Sequence, residues 1–288
     1  MKVVDLIQAE KPCLSFEVFP PKTSDNYQSI QTATENIAAL SPDFISVTYG
    51  AGGGTSDYTV SISANLQEKY HVPTLAHLSC ISSSHEGVQK QLAAMRAAGI
   101  ENVLALRGDI APNAPAVPNW YYHYASELVR EIKSYGGFCI GGACYPESHP
   151  ESKSQAEDIA HLKEKVDAGC EFLTTQMFFD NNIYYNFLYK VREAGITVPV
   201  VAGIMPVTNV KQIKRIVELS GTALPQRFRY LLDRFGSNPA AMKQAGIIYA
   251  SEQIIDLLAN DVPAIHVYSM NNVSVAAQIQ SNLSEILK

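Results

Sequence analysis

The sequence predicts a single domain over residues 1–288 with the (βα)8 or TIM-barrel fold. Eight short apolar runs recur along the whole chain, and a longer amphipathic segment separates each run from the next. The runs are almost continuously apolar, as expected for parallel strands covered by helices. No Pro- or Ser-rich linker and no change in composition divides the chain.

The predicted strands cover residues 14–19, 44–49, 74–79, 102–106, 138–145, 172–177, 198–205 and 264–270. The predicted helices lie near 25–40, 56–70, 85–98, 123–135, 154–168, 181–194, 208–219 and 239–259, with a short additional helix near 225–234. Ser24, Asp25 and Ser84 are suitable N-caps for the helices that they precede. Glycines after Ala98 and Ala168 are suitable turns from helix to strand.

An open, doubly wound parallel sheet is the alternative architecture. It is disfavoured because the units are evenly spaced and no GxGxxG fingerprint follows the first predicted strand.

The composition excludes several classes of protein. Hydrophobic residues make up 47% of the chain and charged residues 17%, which is ordinary for a globular protein. The net charge is −6, without a run of basic residues, so neither a nucleic acid nor an anionic membrane is an expected partner. No apolar stretch reaches the roughly 20 residues of a membrane span. The N-terminus does not resemble a signal peptide, so we expect a cytoplasmic location.

The five cysteines are scattered, without a CxxC pair, and are expected to be buried, unpaired thiols. The histidines are equally dispersed, so no metal site is expected.

Candidate chemistry follows the strands, because β/α barrels place their functional groups at the C-terminal ends of the strands. Glu17 lies between Phe16 and Val18, where burial is expected to raise its pKa into the range of a general acid. A structural carboxylate paired with a lysine or arginine is the open alternative.

Two further strand ends carry polar candidates. Asp109 follows Arg107 and Gly108 and is either a functional carboxylate or a turn residue. Gln176 lies in an apolar strand and either recognises the edge of a heterocycle or is a hydrogen-bonded core residue. The glycine-rich loop 50–54 indicates only a close approach of backbone.

Taken together, six motifs identify a resemblance that none of them carries alone. The segments SFEVFPP, VTYGAGGG, LALRGD, YPESHPESK, TQMFFD and GIMPVTN, in this order, resemble the methylenetetrahydrofolate reductase family. The resemblance extends from about Ser15 to Asn271, nearly the whole chain.

The resemblance implies a β/α barrel that binds a flavin non-covalently, FAD in most members and FMN in some. Two of the matching positions, Ser152 and His161, carry altered residue types. The implied flavin contacts are Thr48, Tyr49, Ala51, His77, Arg107, Gly108, Asp109, Ala125, Tyr145, His149, Ser152, Asp158, His161 and Lys165.

The implied reaction consists of two hydride transfers through one site. A reduced nicotinamide gives hydride to flavin N5 and leaves, and 5,10-methylenetetrahydrofolate then takes its place and is reduced to 5-methyltetrahydrofolate. Glu17 matches the family's general acid, and Asp109 matches the carboxylate that tunes the flavin. Gln176 and Gln212 match substrate contacts.

Two positions depart from the family pattern. Asn272 stands where an arginine commonly meets the glutamate tail of the folate, and Ile216 stands where an aromatic residue lies near the nicotinamide. The electron donor is therefore NADH, NADPH or a partner electron-transfer subunit. A homo-oligomer is expected.

Two rival functions stay open at this stage. One is a pterin-binding barrel that transfers a methyl group without flavin, and the other is a barrel that acts only as a subunit of a larger complex.

Overall fold

The computed structural model describes residues 1–21, 24–49, 56–81, 83–109 and 121–288. Ala51 and the glycine-rich loop 50–54 lie outside the described residues.

Eight parallel strands form a closed barrel in sequence order. The strands are β1 (Cys13–Val18), β2 (Phe44–Val47), β3 (Thr74–Ser79), β4 (Asn102–Leu106), β5 (Cys139–Cys144), β6 (Phe172–Thr175), β7 (Val200–Ile204) and β8 (Ala264–Val267). Closure is direct, because β1 pairs with β8 in a register that sets Ser15 opposite His266. This pairing confirms the predicted barrel and excludes the open sheet.

The helices alternate with the strands around the outside of the barrel. They are α1 (Val3–Ile7), α2 (Tyr27–Ala38), α3 (Ser56–Tyr70), α4 (His85–Ala97), α5 (Ala125–Tyr135), α6 (Gln155–Asp167), α7 (Asn181–Glu193), α8 (Val210–Ser220), α9 (Gln226–Phe235), α10 (Pro239–Ala259) and α11 (Val273–Asn282). The additional helix predicted near 225–234 is confirmed as α9, and Ser84 caps α4 by accepting a hydrogen bond from the Gly87 amide.

Several boundaries differ from the prediction. The first long helix begins at Tyr27 rather than near residue 25, because a 3-10 turn occupies residues 24–26. The prediction extended β8 to Met270, but Met270 and Asn271 have φ values of 53° and 54°, which lie in the left-handed region and end the strand. Helices α1 and α11 were not predicted.

Helix α1 closes the N-terminal end of the barrel. Val3 and Ile7 are fully buried and pack against the inward-facing side chains Phe44 and Phe172. The Val3 amide donates to Asn102 Oδ1 at 2.8 Å, which fixes the start of the helix to β4. The opposite, C-terminal end of the barrel is not covered by α1 and is where the sequence predicts the functional site.

Asn271 joins the two strands at which the barrel closes. Its Oδ1 accepts from the Phe19 amide at 3.0 Å, and its Nδ2 donates to the Phe19 carbonyl at 2.9 Å. The left-handed backbone at Asn271 is a conformation that asparagine tolerates better than most residues.

All five cysteines are buried and unpaired, which confirms the prediction for Cys13, Cys80, Cys139, Cys144 and Cys170. Among the described residues, no helix combines the length and the apolarity of a membrane crossing.

Candidate active site

A cleft of about 770 Å³ opens at the C-terminal ends of the strands. This is the end of the barrel at which the sequence predicted the site, and the volume lies within the usual range of ligand pockets. Most of the residues singled out from the sequence line this one cleft. They are Glu17, Thr48, His77, Arg107, Gly108, Asp109, Ala125, Tyr145, His149, Ser152, Asp158, His161, Lys165 and Gln176.

Two of the predicted site residues are placed elsewhere, and a third is not described. Tyr49 packs against the apolar cluster beneath α4 and α5. Gln212 lies in the first turn of α8 and lines a separate pocket of about 250 Å³, together with Asn209, Ser269 and Asn272. Ala51 lies outside the described residues.

Glu17 occupies β1 at the mouth of the barrel, surrounded by groups from three other strands. Its Oε2 lies 3.4 Å from Ser46 Oγ on β2, 3.7 Å from His77 Nε2 on β3 and 3.7 Å from His266 Nε2 on β8. The partners are histidine and serine rather than the lysine or arginine of the structural alternative. The carboxyl group can therefore exchange a proton with its neighbours.

The pKa of Glu17 differs in direction from the sequence-based expectation. Burial acts to raise this pKa, but the neighbouring His266 and His77 rings and the Ser46 hydroxyl together lower it. The expectation of a raised pKa is therefore wrong for the protein without a ligand. That expectation was based on the burial of Glu17 alone and left out the partners from the other strands of the barrel.

His266 is a site residue that the sequence analysis missed. Its side chain is buried, lines the cleft and lies 2.8 Å from Ser15 Oγ through Nδ1. The available signal was a histidine in the middle of an otherwise apolar strand, since such a ring needs polar partners when buried.

Arg107 and Glu151 form a bidentate ion pair at the rim of the cleft. Arg107 Nη1 and Nη2 lie 2.5 and 2.6 Å from the two carboxylate oxygens of Glu151. This hydrogen-bonded pair raises the pKa of the guanidinium further above its ordinary value. The guanidinium is thus held in a fixed orientation next to Gly108 and Asp109, and Asp109 itself is exposed.

Asp158 organises the loop after β5. Its two oxygens accept from the His149 amide and from Ser152 Oγ, each at 3.1 Å. His149 Nδ1 in turn accepts from the Glu151 amide at 3.1 Å, so Nε2 is the nitrogen of the neutral ring that carries hydrogen. The Tyr145 ring meets the His149 ring edge-on, with centroids 4.6 Å apart. The loop thus presents a hydrogen-bond donor and a flat aromatic face to the cleft.

Lys165 places a half-buried amine in the wall of the same cleft. Nζ donates to the Ala143 carbonyl at 2.7 Å, and burial lowers the pKa of the amine. An anionic ligand at this wall would stabilise the charged form and restore the pKa.

Two buried polar atoms in the cleft have no hydrogen-bond partner within the described part of the chain. They are His77 Nε2 and Thr174 Oγ1. Because such atoms are normally satisfied in folded proteins, both are suited to a ligand with a polar edge. Burial lowers the pKa of His77 to about 4, so this ring is neutral at physiological pH.

Known proteins resemble the chain over nearly its entire length. The family model described as methylenetetrahydrofolate reductase matches residues 2–284. The chain belongs to the methylenetetrahydrofolate reductase family. This confirms the resemblance that the sequence motifs indicated.

Relatives within the methylenetetrahydrofolate reductase family come from plants and bacteria. Methylenetetrahydrofolate reductase (NADH) 1 of Arabidopsis thaliana is 36% identical over 304 residues, covering 99% of the chain and 51% of the relative. The chain therefore spans about half the length of the plant relatives that it matches. The 5,10-methylenetetrahydrofolate reductase of Escherichia coli K12 is 34% identical over 266 residues, covering 92% of the chain and 88% of the relative.

A solved structure shares the barrel at low sequence identity. It is an uncharacterized protein from Clostridium thermocellum, described as binding two copies of 5-methyl-5,6,7,8-tetrahydrofolic acid. The TM-score is 0.68 at 14% identity, with 98% of each chain covered. This likeness concerns the fold alone.

Proposed function

We propose that this member of the family is a flavin-dependent reductase that converts 5,10-methylenetetrahydrofolate to 5-methyltetrahydrofolate. The observation that carries the proposal is the position of Glu17. This carboxyl group lies on β1 at the mouth of the barrel, in a cleft shared with the residues that the family motifs assign to the flavin. The names of relatives that align over most of the chain support the substrate.

The cleft suits a flavin with a phosphate-bearing chain, and FAD or FMN is the cofactor that we propose. Arg107, Lys165 and the Nε2 of His149 are donors for anionic oxygens. The unpartnered His77 Nε2 and Thr174 Oγ1 are suited to the polar edge of a ring. A bound flavin would supply a centre that accepts hydride from a donor and returns it to the folate.

Glu17 is the proposed general acid. Proton transfer to N10 of the folate would open its five-membered ring to a cation at N5, which is ready to accept hydride. Asp109, exposed at the rim of the cleft, would stabilise that cation by its negative charge. Gln176 lines the same cleft, and its amide would hold the pterin or nicotinamide edge.

Gln212 would contact the folate from the smaller pocket, where Asn272 contributes an uncharged wall. NADH, NADPH or a partner electron-transfer subunit would serve as the electron donor in a ping-pong sequence.

We also propose one catalytic domain over residues 1–288, a homo-oligomeric assembly and a cytoplasmic location.

A visible spectrum tests the proposed cofactor. The purified protein, or the apoprotein after addition of FAD or FMN, should absorb at about 450 nm, as bound flavins do. A chain that binds neither flavin would instead fit the rival methyltransferase function, and the proposal would then be withdrawn.

The substitution Glu17→Gln tests the general acid. The variant should keep flavin reduction by the donor within about twofold, because no proton from Glu17 is needed there. Reduction of the folate should fall at least about a hundredfold, the lower end of the usual contribution of general acid catalysis. Anaerobic stopped flow measures both half-reactions, and an equal loss in both would contradict the role assigned to Glu17.

A further inference from the structure

The lowered pKa of Glu17 creates a requirement for a proton. At neutral pH the carboxyl group is ionised, because its partners outweigh the effect of burial. The proposed reaction nevertheless requires a proton at this carboxyl group, and the inference below rests on that proposed function. A neighbouring group that holds the proton would meet the requirement.

The contacts of His266 with β1 fix which of its nitrogens can exchange a proton. Nδ1 lies 2.8 Å from Ser15 Oγ, and Ser15 Oγ lies 3.1 Å from the Ile265 carbonyl oxygen. The Ser15 hydroxyl donates to that carbonyl, which has no proton of its own to give. Nδ1–H therefore donates to Ser15 Oγ, and Nε2 is left to gain or lose a proton.

The opposite side of the ring meets Ser46 and Glu17. Nε2 lies 3.2 Å from Ser46 Oγ and 3.7 Å from Glu17 Oε2, and Ser46 Oγ lies 3.4 Å from the same Oε2. With a neutral ring and an ionised carboxylate, the single hydroxyl proton of Ser46 can be donated to only one of these two acceptors. A proton on Nε2 would let the ring donate to Ser46 Oγ while the Ser46 hydroxyl donates to Glu17 Oε2.

We propose that His266 stores the proton that Glu17 delivers to the substrate. The resting pair is imidazolium and carboxylate. The Ser46 hydroxyl passes its proton to Glu17 Oε2 and takes the proton of Nε2, so that His266 becomes neutral and Glu17 becomes a carboxylic acid. After Glu17 has protonated the substrate, one proton from solvent in the cleft restores the pair. No electrons move in this relay.

The other titratable groups around His266 are neutral. His77, on β3, has a pKa of about 4 and carries no charge at physiological pH. Tyr268 meets the His266 ring edge-on, its hydroxyl donates to the Thr175 carbonyl at 2.6 Å, and burial raises its pKa. Phe44, on β2, stacks parallel to the ring with centroids 6.1 Å apart. Among the described residues around the ring, Glu17 is thus the charged partner.

Nuclear magnetic resonance of the flavin-free protein tests, without any catalysis, whether His266 holds the proton. With ¹⁵N-labelled histidine, both ring nitrogens of His266 should be protonated at pH 7, and the signals are assigned by their loss in His266→Gln. In Glu17→Gln the ring should become neutral at pH 7, and the midpoint of its titration should fall by at least one pH unit. The same midpoint with and without the carboxylate would overturn the proposal.

Single-turnover kinetics tests whether the stored proton is used. The flavin is first reduced with dithionite, so that the identity of the donor does not matter, and 5,10-methylenetetrahydrofolate is then added. In His266→Gln the rate at pH 7 should fall at least tenfold, and the decline of rate with rising pH should begin at a lower pH. His85→Gln, the same exchange at an exposed histidine outside the cleft, should match the wild-type protein.

The outcomes separate the two proposals. An unchanged pH profile in His266→Gln would mean that Glu17 itself holds the proton. The proposed role of His266 would then be rejected, while the proposed reductase function would stand. A wild-type holoprotein that cannot reduce the folate would reject the function, and the titration of the flavin-free protein would still decide whether Glu17 and His266 share a proton.

Discussion

His77 and Glu17 face each other across the mouth of the barrel, and their pKa values are both lowered, for different reasons. Burial of the His77 ring disfavours its cation and lowers its pKa to about 4. For Glu17, the neighbouring His266 and His77 rings and the Ser46 hydroxyl outweigh burial. Both groups are therefore in their deprotonated forms at neutral pH, and both take up protons only in acid.

This arrangement predicts a loss of stability in acid. An unfolded histidine has a pKa of about 6.5, so the unfolded chain binds a proton at His77 between about pH 6.5 and pH 4, and the folded chain does not. The free energy of unfolding should fall as the pH is lowered through this window, by up to about 3 kcal/mol from His77. Urea unfolding at pH 7.5 and pH 4.5 measures the loss.

Variants assign the loss to its residue. In His77→Gln the decrease between the two pH values should be smaller than in the wild-type protein. His123→Gln, at an exposed histidine, should retain the full decrease. Parallel curves for all three proteins would contradict the assignment to His77.

The sequence predicted the location of Glu17 but not its protonation. A carboxylate between Phe16 and Val18 is expected to lie in a strand at the barrel mouth, and the structure places it there, half-buried in the cleft. The direction of its pKa depends on Ser46, His77 and His266, which come from three other strands. Neighbours so distant in sequence cannot be read from the segment that carries the carboxylate.

At the scale of elements, two glycines inside helices should respond oppositely to the same substitution. A Cβ added at Gly246 in α10 would lie 1.7 Å from the Val207 carbonyl oxygen, so the helix could no longer pack on the segment after β7. A Cβ at Gly87 in α4 would lie 3.4 Å from Ser84 Oγ, an ordinary contact.

We expect Gly246→Ala to lower the free energy of unfolding by about 1–3 kcal/mol, as overpacking does. Gly87→Ala should leave it unchanged or raise it by up to about 1 kcal/mol, because alanine has the higher helix propensity. Urea unfolding of the matched pair measures both effects. A stabilised Gly246→Ala variant would show that α10 does not pack as closely as described.

Most elements could be predicted because each carries its own periodic pattern. Strands β3 and β4 have the predicted bounds, whereas the predicted β8 extended three residues too far. The excess residues are apolar or small, and only the backbone at Met270 and Asn271 reveals the turn. Helix α1 escaped prediction because five residues are too few for a helical pattern to stand out.

For the molecule as a whole, α1 supplies the floor of the barrel. Ile7 is fully buried in the inner layer of side chains, and Ile7→Ala should lower the free energy of unfolding by about 2–5 kcal/mol through the cavity that it leaves. The exposed neighbour Gln8 provides the control, since Gln8→Ala removes no buried contact. Urea unfolding of both variants measures the difference, and equal stabilities would show that the floor contributes little.

The bond between Asn271 and Phe19 also bears on how the chain is made. The first strand pairs with the last, so during synthesis on a ribosome one edge of β1 has no neighbour until residue 267 has emerged. Until then the nascent barrel is an open sheet whose exposed edge could pair with another chain. Closure, followed by the two hydrogen bonds of Asn271, ends that vulnerable period, and only then are Glu17 and His266 brought together.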